Sequence, residues 1–469
     1  MSSILILENI MLDFEPLKNS FSGEIVYRGH SNYDEARSVY NANINKNPEG
    51  VLFCQNEADV ISAVNFARDA GVTIAVRCQG HNGSGYSTCN DGVIIDLSGI
   101  SYTRVNNQAN TIRVGAGCKW SDVDNATACF GKAVSSGVVS STGVSGLTLG
   151  GGHGYIARGY GLAIDNVLEV DIVLADGSFI TASEEKNSDI FWGIRGGGGN
   201  FGIVTSFLFK MAPVQDVFCG LMAWDLKDIK KTFTWYDKLM KTARNDIYGF
   251  YAVQTIPPAA PFPEELHLKK FCGIMWCYYG PKEELDEAWA PIKAFCDEIP
   301  PMMDGTHWGT LRELNAAFNE LYPSGEQWYW KGDYFNEITD EVVETHLTNI
   351  QDVPTWKSAM HLYPVNGVCH DVPSDATAWN DRTSSYSMVI VGVSPDAADF
   401  DNIKSWAKRY WSDLNPHSSQ TGSYVNWMMP DEDHGRVKAA YGANYERLVN
   451  LKKKYDPGNV FHMNHNIVP

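Results

Sequence analysis

Between Gly143 and Gly154 six of twelve residues are glycine, in the run GVSGLTLGGGHG. Backbone with so few side chains is built for close approach, either to other backbone or to a ligand. Two more segments repeat the theme: RCQGHNGSGY, Arg77 to Tyr86, and IRGGGGNFGIVTSF, residues 194–207. In the first, glycines at 80, 83 and 85 let the chain turn its N–H groups inward as an anion nest, and a pyrophosphate is the obvious guest. Three such loops in one part of the chain imply a long ligand held from several sides, and a dinucleotide fits that description.

The local pattern around the loops narrows the fold. Residues 56–70 show apolar positions at Val60, Ile61, Val64 and Ala67, one face of a helix, with Asn56 as N-cap and Gly71 as the stop. VTIAVR, GVIIDLS and TIRVGAG read as short strands. NVLEVDIVLADGSFITAS reads as a hairpin with a two-residue turn at Asp176-Gly177. Gly197-x-Gly199-x-x-Gly202 matches a Rossmann fingerprint in letters only. A helix-like DIFWGIRG precedes it and a strand-like IVTSFLF follows, the reverse of the order that puts a helix N-terminus on a pyrophosphate. No G-x-x-x-x-G-K-[ST] loop occurs either.

At 469 residues the chain is too long for one ordinary core, so two lobes are expected. The glycine-rich character ends near Pro213. From there to about residue 420 aromatics and prolines dominate, as in QTIPPAAPFPEE and EQWYWKGDYF. The segment 441–455 returns to a helical pattern, with Tyr441, Tyr445, Leu448 and Tyr455 on one side, and Asp456-Pro457 ends it. The formal charge is −19, which argues against nucleic-acid and membrane-surface partners. The start, MSSILILENIMLDFEPLK, lacks the basic and long apolar regions of a secretory signal, so a cytoplasmic protein is expected. Ten irregularly spaced cysteines include no C-x-x-C pair, and the expectation is free thiols and no metal site.

Four separated blocks occur together: Val76 to Tyr86, Gly143 to Asn166, DIFWGIRGGGGNFGIVTSF and the ending YDPGNVFHMNHNI. From about Tyr33 onward the chain resembles the berberine-bridge-enzyme-like group of the vanillyl-alcohol-oxidase flavoproteins. That resemblance implies an α+β, two-lobed fold: a PCMH-type FAD-binding domain over 1–212, a substrate domain with an antiparallel sheet over 213–420, and a segment 421–469 returning to the FAD domain. It also implies an oxidase that takes a hydride from an alcohol, sugar, amine or secondary metabolite onto FAD and returns the electrons to O₂. The alternatives are a dehydrogenase with another acceptor and a flavoprotein catalysing a non-redox cyclisation.

Residue by residue, the family's R-x-G-G-H histidine falls on His81, the implied attachment point of FAD. Arg77, Cys78, Gln79, Gly80, Asn82 and Gly85 share that loop. Thr142, Gly143, Gly146, Gly150, Gly151 and Gly154 match the second FAD loop, and Asn200, Gly202, Ile203 and Val204 the third. Asn464 and Asn466 match a terminal strand near the flavin. Doubly linked relatives carry a cysteine where this chain has Val139, so a single link is implied. Gln79 and Ser145 replace family glycines, and Thr142 occupies the position associated with oxygen access. Tyr424-Val425-Asn426 resembles the family's Tyr-x-Asn strand, whose period of two sets Tyr424 and Asn426 on one face. Tyr424 is the expected proton acceptor. Tyr363, with His361 in HLYPVNG, is the next candidate.

Overall fold

The structure, a computed structural model, describes residues 12–469. The expected absence of a secretory signal rests largely on the first eleven residues, which lie outside the described part. Two sheets are built from the first half of the chain. In the smaller, β1 (Glu24–Tyr27), β2 (Gly50–Phe53), β3 (Ile74–Arg77) and β4 (Val93–Asp96) run in the order β1-β2-β4-β3. The last three are parallel, and β2 and β4 are almost wholly buried, as crossover-connected strands require. The helix Glu57–Asp69 makes one crossover; the Asn56 side chain accepts from Asp59 N–H, so the cap expected from sequence is present.

The second sheet is antiparallel: β5 (Thr103–Asn106), β6 (Thr111–Gly115), β7 (Val167–Val173), β8 (Phe179–Ser183) and β9 (Ile203–Lys210), in the order β5-β6-β9-β7-β8. The β7–β8 hairpin forms as expected, but its connection is longer than two residues. Val173 pairs with Phe179, and only Gly177 of the Asp176-Gly177 pair takes positive φ, at 84°. A helix, Ser188–Ile194, precedes the Gly197–Gly202 run and β9 follows it, so the Rossmann letters are indeed a coincidence.

The third sheet holds β10 (Asp216–Asp225), β11 (Ile247–Thr255), β12 (Lys270–Tyr278), β13 (Met303–Asp304), β14 (His307–Thr310), β15 (Gln327–Phe335), β16 (Ala359–Pro364) and β17 (Tyr386–Ser394). Its main path is β13-β10-β12-β11-β16-β17-β15, antiparallel throughout, with β14 beside β10. Helices such as Ile229–Thr242 and Phe400–Leu414 cover one face with an aromatic core. Arg158, almost fully buried, reaches from the glycine-rich half to the end of the helix Ile229–Thr242. There it donates to the carbonyls of Met240 and Ala243, at the end where helix geometry leaves carbonyls unpaired, and to those of Arg244 and Ile247 just beyond.

After the third sheet the chain returns across both halves. Lys331 of β15 pairs with Glu432, and Arg436 pairs with both Glu432 and Asp333; the Lys331, Glu432 and Asp333 side chains are almost fully buried and Arg436 partly so. Further on, the helix Tyr445–Tyr455 ends at Asp456, as the Asp-Pro signal predicts. Lys452 and Asp456 are completely buried and 2.7 Å apart, and the Lys452 ammonium also donates to the carbonyls of Asn200 and Phe461. This one side chain ties the third glycine loop to the terminal segment. Two expected strands are absent. Residues 425–427 form a 3₁₀ turn instead of a Tyr-x-Asn strand, and residues 459–469 belong to no strand. Among the described residues all ten cysteines are free thiols and no helix is long and apolar enough to cross a membrane.

Breaking a buried ion pair strands its partner in low dielectric at a cost of about 3–5 kcal/mol. Lys452→Met is expected to lose stability in that range in denaturant unfolding, whereas a loss under about 1 kcal/mol would show that water reaches Asp456.

Candidate active site

A cavity of about 390 Å³ lies where the three glycine loops face the third sheet. The first loop enters it directly from β3. Beyond Arg77, the backbone N–H groups of Gln79, Gly80, His81, Asn82, Gly83 and Ser84 donate to no acceptor among the described residues. Six consecutive unpaired amides are rare in folded protein and mark an anion site. The second loop contributes the short helix Val144–Leu149, and a Cβ placed on its Gly146 meets nothing within 4 Å. The same holds at Gly199 in the third loop, so both glycines border open space on the cavity wall.

Of the residues expected at a cofactor, Cys78, Gln79, Gly80, His81, Asn82, Thr142, Gly143, Gly146, Gly150, Asn200, Gly202, Ile203, Val204 and Asn464 line this cavity. Five do not. Arg77 is buried behind the loop, in an ion pair with Asp96 and a bond to the carbonyl of Ser38. Gly85 packs on Ile44, and Gly154 packs on the backbone of residues 136–137. Gly151, at φ 133°, lies against the ring of Trp379, which leaves no room for a side chain. Asn466 does not line the cavity and lies in a terminal segment held without a sheet. There the Asn200 side chain substitutes for a neighbouring strand, accepting from Ile467 N–H and donating to the carbonyl of His465.

His81 stacks on Tyr40, with ring centroids 4.1 Å apart and planes 19° apart. The Tyr40 hydroxyl donates to the carbonyl of Tyr322, and neighbouring Asn41 bonds to Gly83 and Trp328. The 40–41 segment thus fixes the first loop against the third sheet. Burial, with a small contribution from the Lys119 charge, brings the His81 imidazole down to about 4, so a ring nitrogen lone pair is free at neutral pH.

The opposite wall comes from strand residues that alternate with period two. Trp328 and Trp330 of β15, His361 and Tyr363 of β16, Val389 and Val391 of β17 and Phe250 of β11 all face the cavity. Register sets His361 opposite Val389 and Trp330 opposite Val391. The C-terminal return supplies Tyr424, Asn426 and Trp427. The tight turn at 425–427, closed by Trp427 N–H to the Tyr424 carbonyl, brings Tyr424 and Asn426 together by a different route from the expected strand.

The Asn426 amide donates to the Tyr424 oxygen at 2.8 Å while also facing the carbonyls of Gly146 and Leu147, which fixes which end carries nitrogen. Gly152 N–H donates to the same phenol oxygen at 3.0 Å. Burial pushes Tyr424 up to about 12, and these two donors work against it. Tyr363 lies beside His361, which in turn meets Gln254. With the Gln254 oxygen accepting from Nε2–H, His361 Nδ1 accepts a hydrogen bond from the Tyr363 hydroxyl.

Three further cavity residues had no readable sequence signal of their own: Tyr40, Trp330 and His153. His153 lies inside the second loop, packed against Tyr363, Tyr424 and Trp427, and neither ring nitrogen has a partner. Burial brings it to about 3, so it is neutral. Among the described residues that line the cavity there is no Asp, Glu, Lys or Arg.

Comparison with known proteins agrees with this geometry. The family profile for the FAD binding domain matches residues 48–183, and the profile described as berberine and berberine like matches residues 423–468. An FAD-linked oxidoreductase of Dictyostelium discoideum is 28% identical over 458 residues, spanning 96% of this chain and 95% of that protein. The structure of BBE-like 1 from Physcomitrella patens superposes with a TM-score of 0.84 at 25% identity, covering 97% of this chain and 99% of that one. That of 6-hydroxy-D-nicotine oxidase from Arthrobacter nicotinovorans does so with a TM-score of 0.84 at 23% identity, over 96% and 98%. The chain carries an FAD binding domain and a berberine and berberine like segment, and its two-lobed fold is that of the berberine-bridge-enzyme-like FAD-linked oxidoreductases to which it is similar.

The cavity fits FAD on its own evidence. Unpaired amides at 79–82 suit a pyrophosphate in a wall without cations, and the space at Gly146 and Gly199 admits a flat ring system. Buried polar atoms of Asn464 and His465 also lack protein partners. Gly146→Leu replaces a poor helix former with a good one, so flavin-free protein is expected to melt no lower than wild type. The same change is expected to cut flavin content at least tenfold, and full flavin content would show that Gly146 does not border the cofactor.

Proposed function

We propose that this protein oxidises a small organic molecule at a carbon bearing a hydroxyl or amine, with FAD attached once, through His81, and O₂ as final acceptor. The observation that carries this reading is the phenol of Tyr424. Both of its acceptor positions are filled by donors from Asn426 and Gly152, and its own proton has no protein acceptor. Tyr424 lines the same cavity as His81, so the two donors that favour its ionised form act beside the site where a cofactor would lie.

Removing two electrons from an alcohol or amine also releases a proton, which must be taken up within hydrogen-bond reach. The donors on Tyr424 stabilise the phenolate more than the phenol, so it ionises, and is available as a base, more readily than a buried tyrosine without them. Tyr363 hands its own hydroxyl proton toward His361 and so presents lone pairs to the cavity, where it can hold the substrate hydroxyl in place. The aromatic wall of Phe250, Phe318, Tyr322 and Trp330 excludes water and stacks on a substrate ring. Bound FAD supplies the two-electron acceptor.

His81 supports the covalent link through its neutral ring and its stack on Tyr40, which holds one orientation. Val139, at the position of a second attachment in doubly linked relatives, has no nucleophile. Relatives named for nicotine oxidation and for FAD-linked oxidoreduction support the redox class, and an aromatic wall supports ring substrates.

Tyr424→Phe removes the hydroxyl and leaves the ring. Anaerobic flavin reduction by a substrate alcohol is expected to slow by about 10²–10⁴-fold, with flavin content unchanged. Reduction at the wild-type rate would move the role to Tyr363. Peroxide formed in step with turnover in air supports O₂ as acceptor, and its absence assigns the chain to the dehydrogenases.

A further inference from the structure

We infer that Asp124 is a positioning residue that works as the neutral acid, forming a two-bond pair with the Asn315 carboxamide that holds the cavity wall at residues 138–142 in place. The inference follows from the fold and does not depend on the reaction proposed above.

Asp124 lies in the helix Trp120–Ala128 of the glycine-rich half, and Asn315 in the short helix Leu311–Ala316 that follows β14. Both side chains are buried. The Asn315 amide donates to one Asp124 oxygen at 3.0 Å, and among the described residues no other hydrogen bond reaches that carboxyl. The Asn315 carboxamide oxygen, in turn, is buried without a donor. A buried carboxylate with one neutral donor is costly, and so is a buried amide oxygen with none. A protonated Asp124 resolves both. Its O–H donates to the Asn315 oxygen while its carbonyl oxygen accepts from the Asn315 N–H.

Nearby charge offers little to an ionised form. Arg312 faces the carboxyl from one turn earlier in the Asn315 helix, but it is exposed and its guanidinium donates to Asn125. Asp122 and Glu313, on the same two helices, are taken up in capping the backbone at Lys119 and Thr310. Lys119 is exposed, as is Arg104 on β5, the strand packed on the Asp124 helix. Burial outweighs Arg312 and pushes the Asp124 carboxyl up to about 7.

The two helices joined by this pair grip one stretch of cavity wall from both sides. From the first, Trp120 N–H donates to the Thr142 carbonyl and Ser121 N–H to the Ser140 carbonyl. From the second, the Asn315 carbonyl accepts from Ser140 N–H, and the Asn319 side chain, one turn on, bonds to Ser140 and Ser141. Val138, Val139 and Thr142 of that stretch line the cavity, and the Ser141 backbone lies beside the His81 imidazole. Ionising Asp124 removes the O–H bond and sets a carboxylate oxygen against the Asn315 carboxamide oxygen, which weakens the link between the helices. The sign is that of a raised carboxyl: the pair is complete at low pH and is lost as the pH rises through about 7.

Amide hydrogen exchange of residues 140–144 in the holoprotein, corrected for the chemical exchange rate, tests this between about pH 5 and about pH 9. Protection in wild type is expected to fall about tenfold as the pH rises, with its midpoint at about 7. Asp124→Asn offers an N–H to the Asn315 oxygen and a carbonyl to its amide at every pH, so it is expected to keep the low-pH protection throughout. Asp124→Val leaves the Asn315 carboxamide without either bond and is expected to show the weakly protected wall at every pH. Equal protection of wild type at both ends of the range would overturn the inference, as would a pH step that survives in Asp124→Asn.

Discussion

The ion pair of Lys331 with Glu432, extended through Arg436 to Asp333, holds the last fifty residues against the third sheet, and the cavity depends on it. Tyr424 and Asn426 belong to neither the glycine loops nor the sheet. They reach the second loop only because the segment between β17 and the terminal helix is pinned at 432–436, a few residues beyond them. Lys452 repeats the device at the other end, joining the third loop to Phe461. Buried pairs of this kind are poor sources of net stability, because desolvation offsets much of the attraction, but removing one partner is costly. Their effect is to make one placement of the returning segment far better than its alternatives.

An uncharged cavity surrounded by such pairs has a chemical consequence. Among the described residues no charged side chain lines the cavity, and the titratable groups that face it are held in their neutral forms by burial. Proton movement must then run through hydrogen bonds to neutral groups. The two phenols differ in this respect. Tyr424 receives two donors that offset part of its burial and favour its ionised form, whereas Tyr363 donates a hydrogen bond to the His361 imidazole, which Gln254 holds in place. Two tyrosines in one cavity thus have separable roles set by their partners.

Much of the glycine-rich half was legible in the sequence. The Asn56 cap, the order of helix and strand around Gly197–Gly202, the β7–β8 hairpin and the Asp-Pro stop all follow from local chemistry, and local chemistry decides them. The glycine loops were legible as ligand-bordering segments, though not residue by residue. Gly151 and Gly154 serve close packing against Trp379 and residues 136–137, contacts that lie far away in sequence. Arg77 has the look of a phosphate ligand, but its partner Asp96 is nineteen positions on and pairs with it across two parallel strands. The Tyr424–Asn426 pairing was anticipated from a strand pattern that does not form; a tight turn produces the same meeting. Tyr40 and Trp330 could not be read at all, because an aromatic residue before a loop or in a strand carries no mark of what it will stack on.

The central claim is that the Tyr40-stacked, neutral His81 carries the cofactor. Proteolysis of the denatured holoprotein followed by mass spectrometry tests it directly. The account predicts one flavin-bearing peptide, containing His81, with the adduct on the imidazole. Flavin released entirely on denaturation, or found on a cysteine peptide that lacks His81, would contradict it.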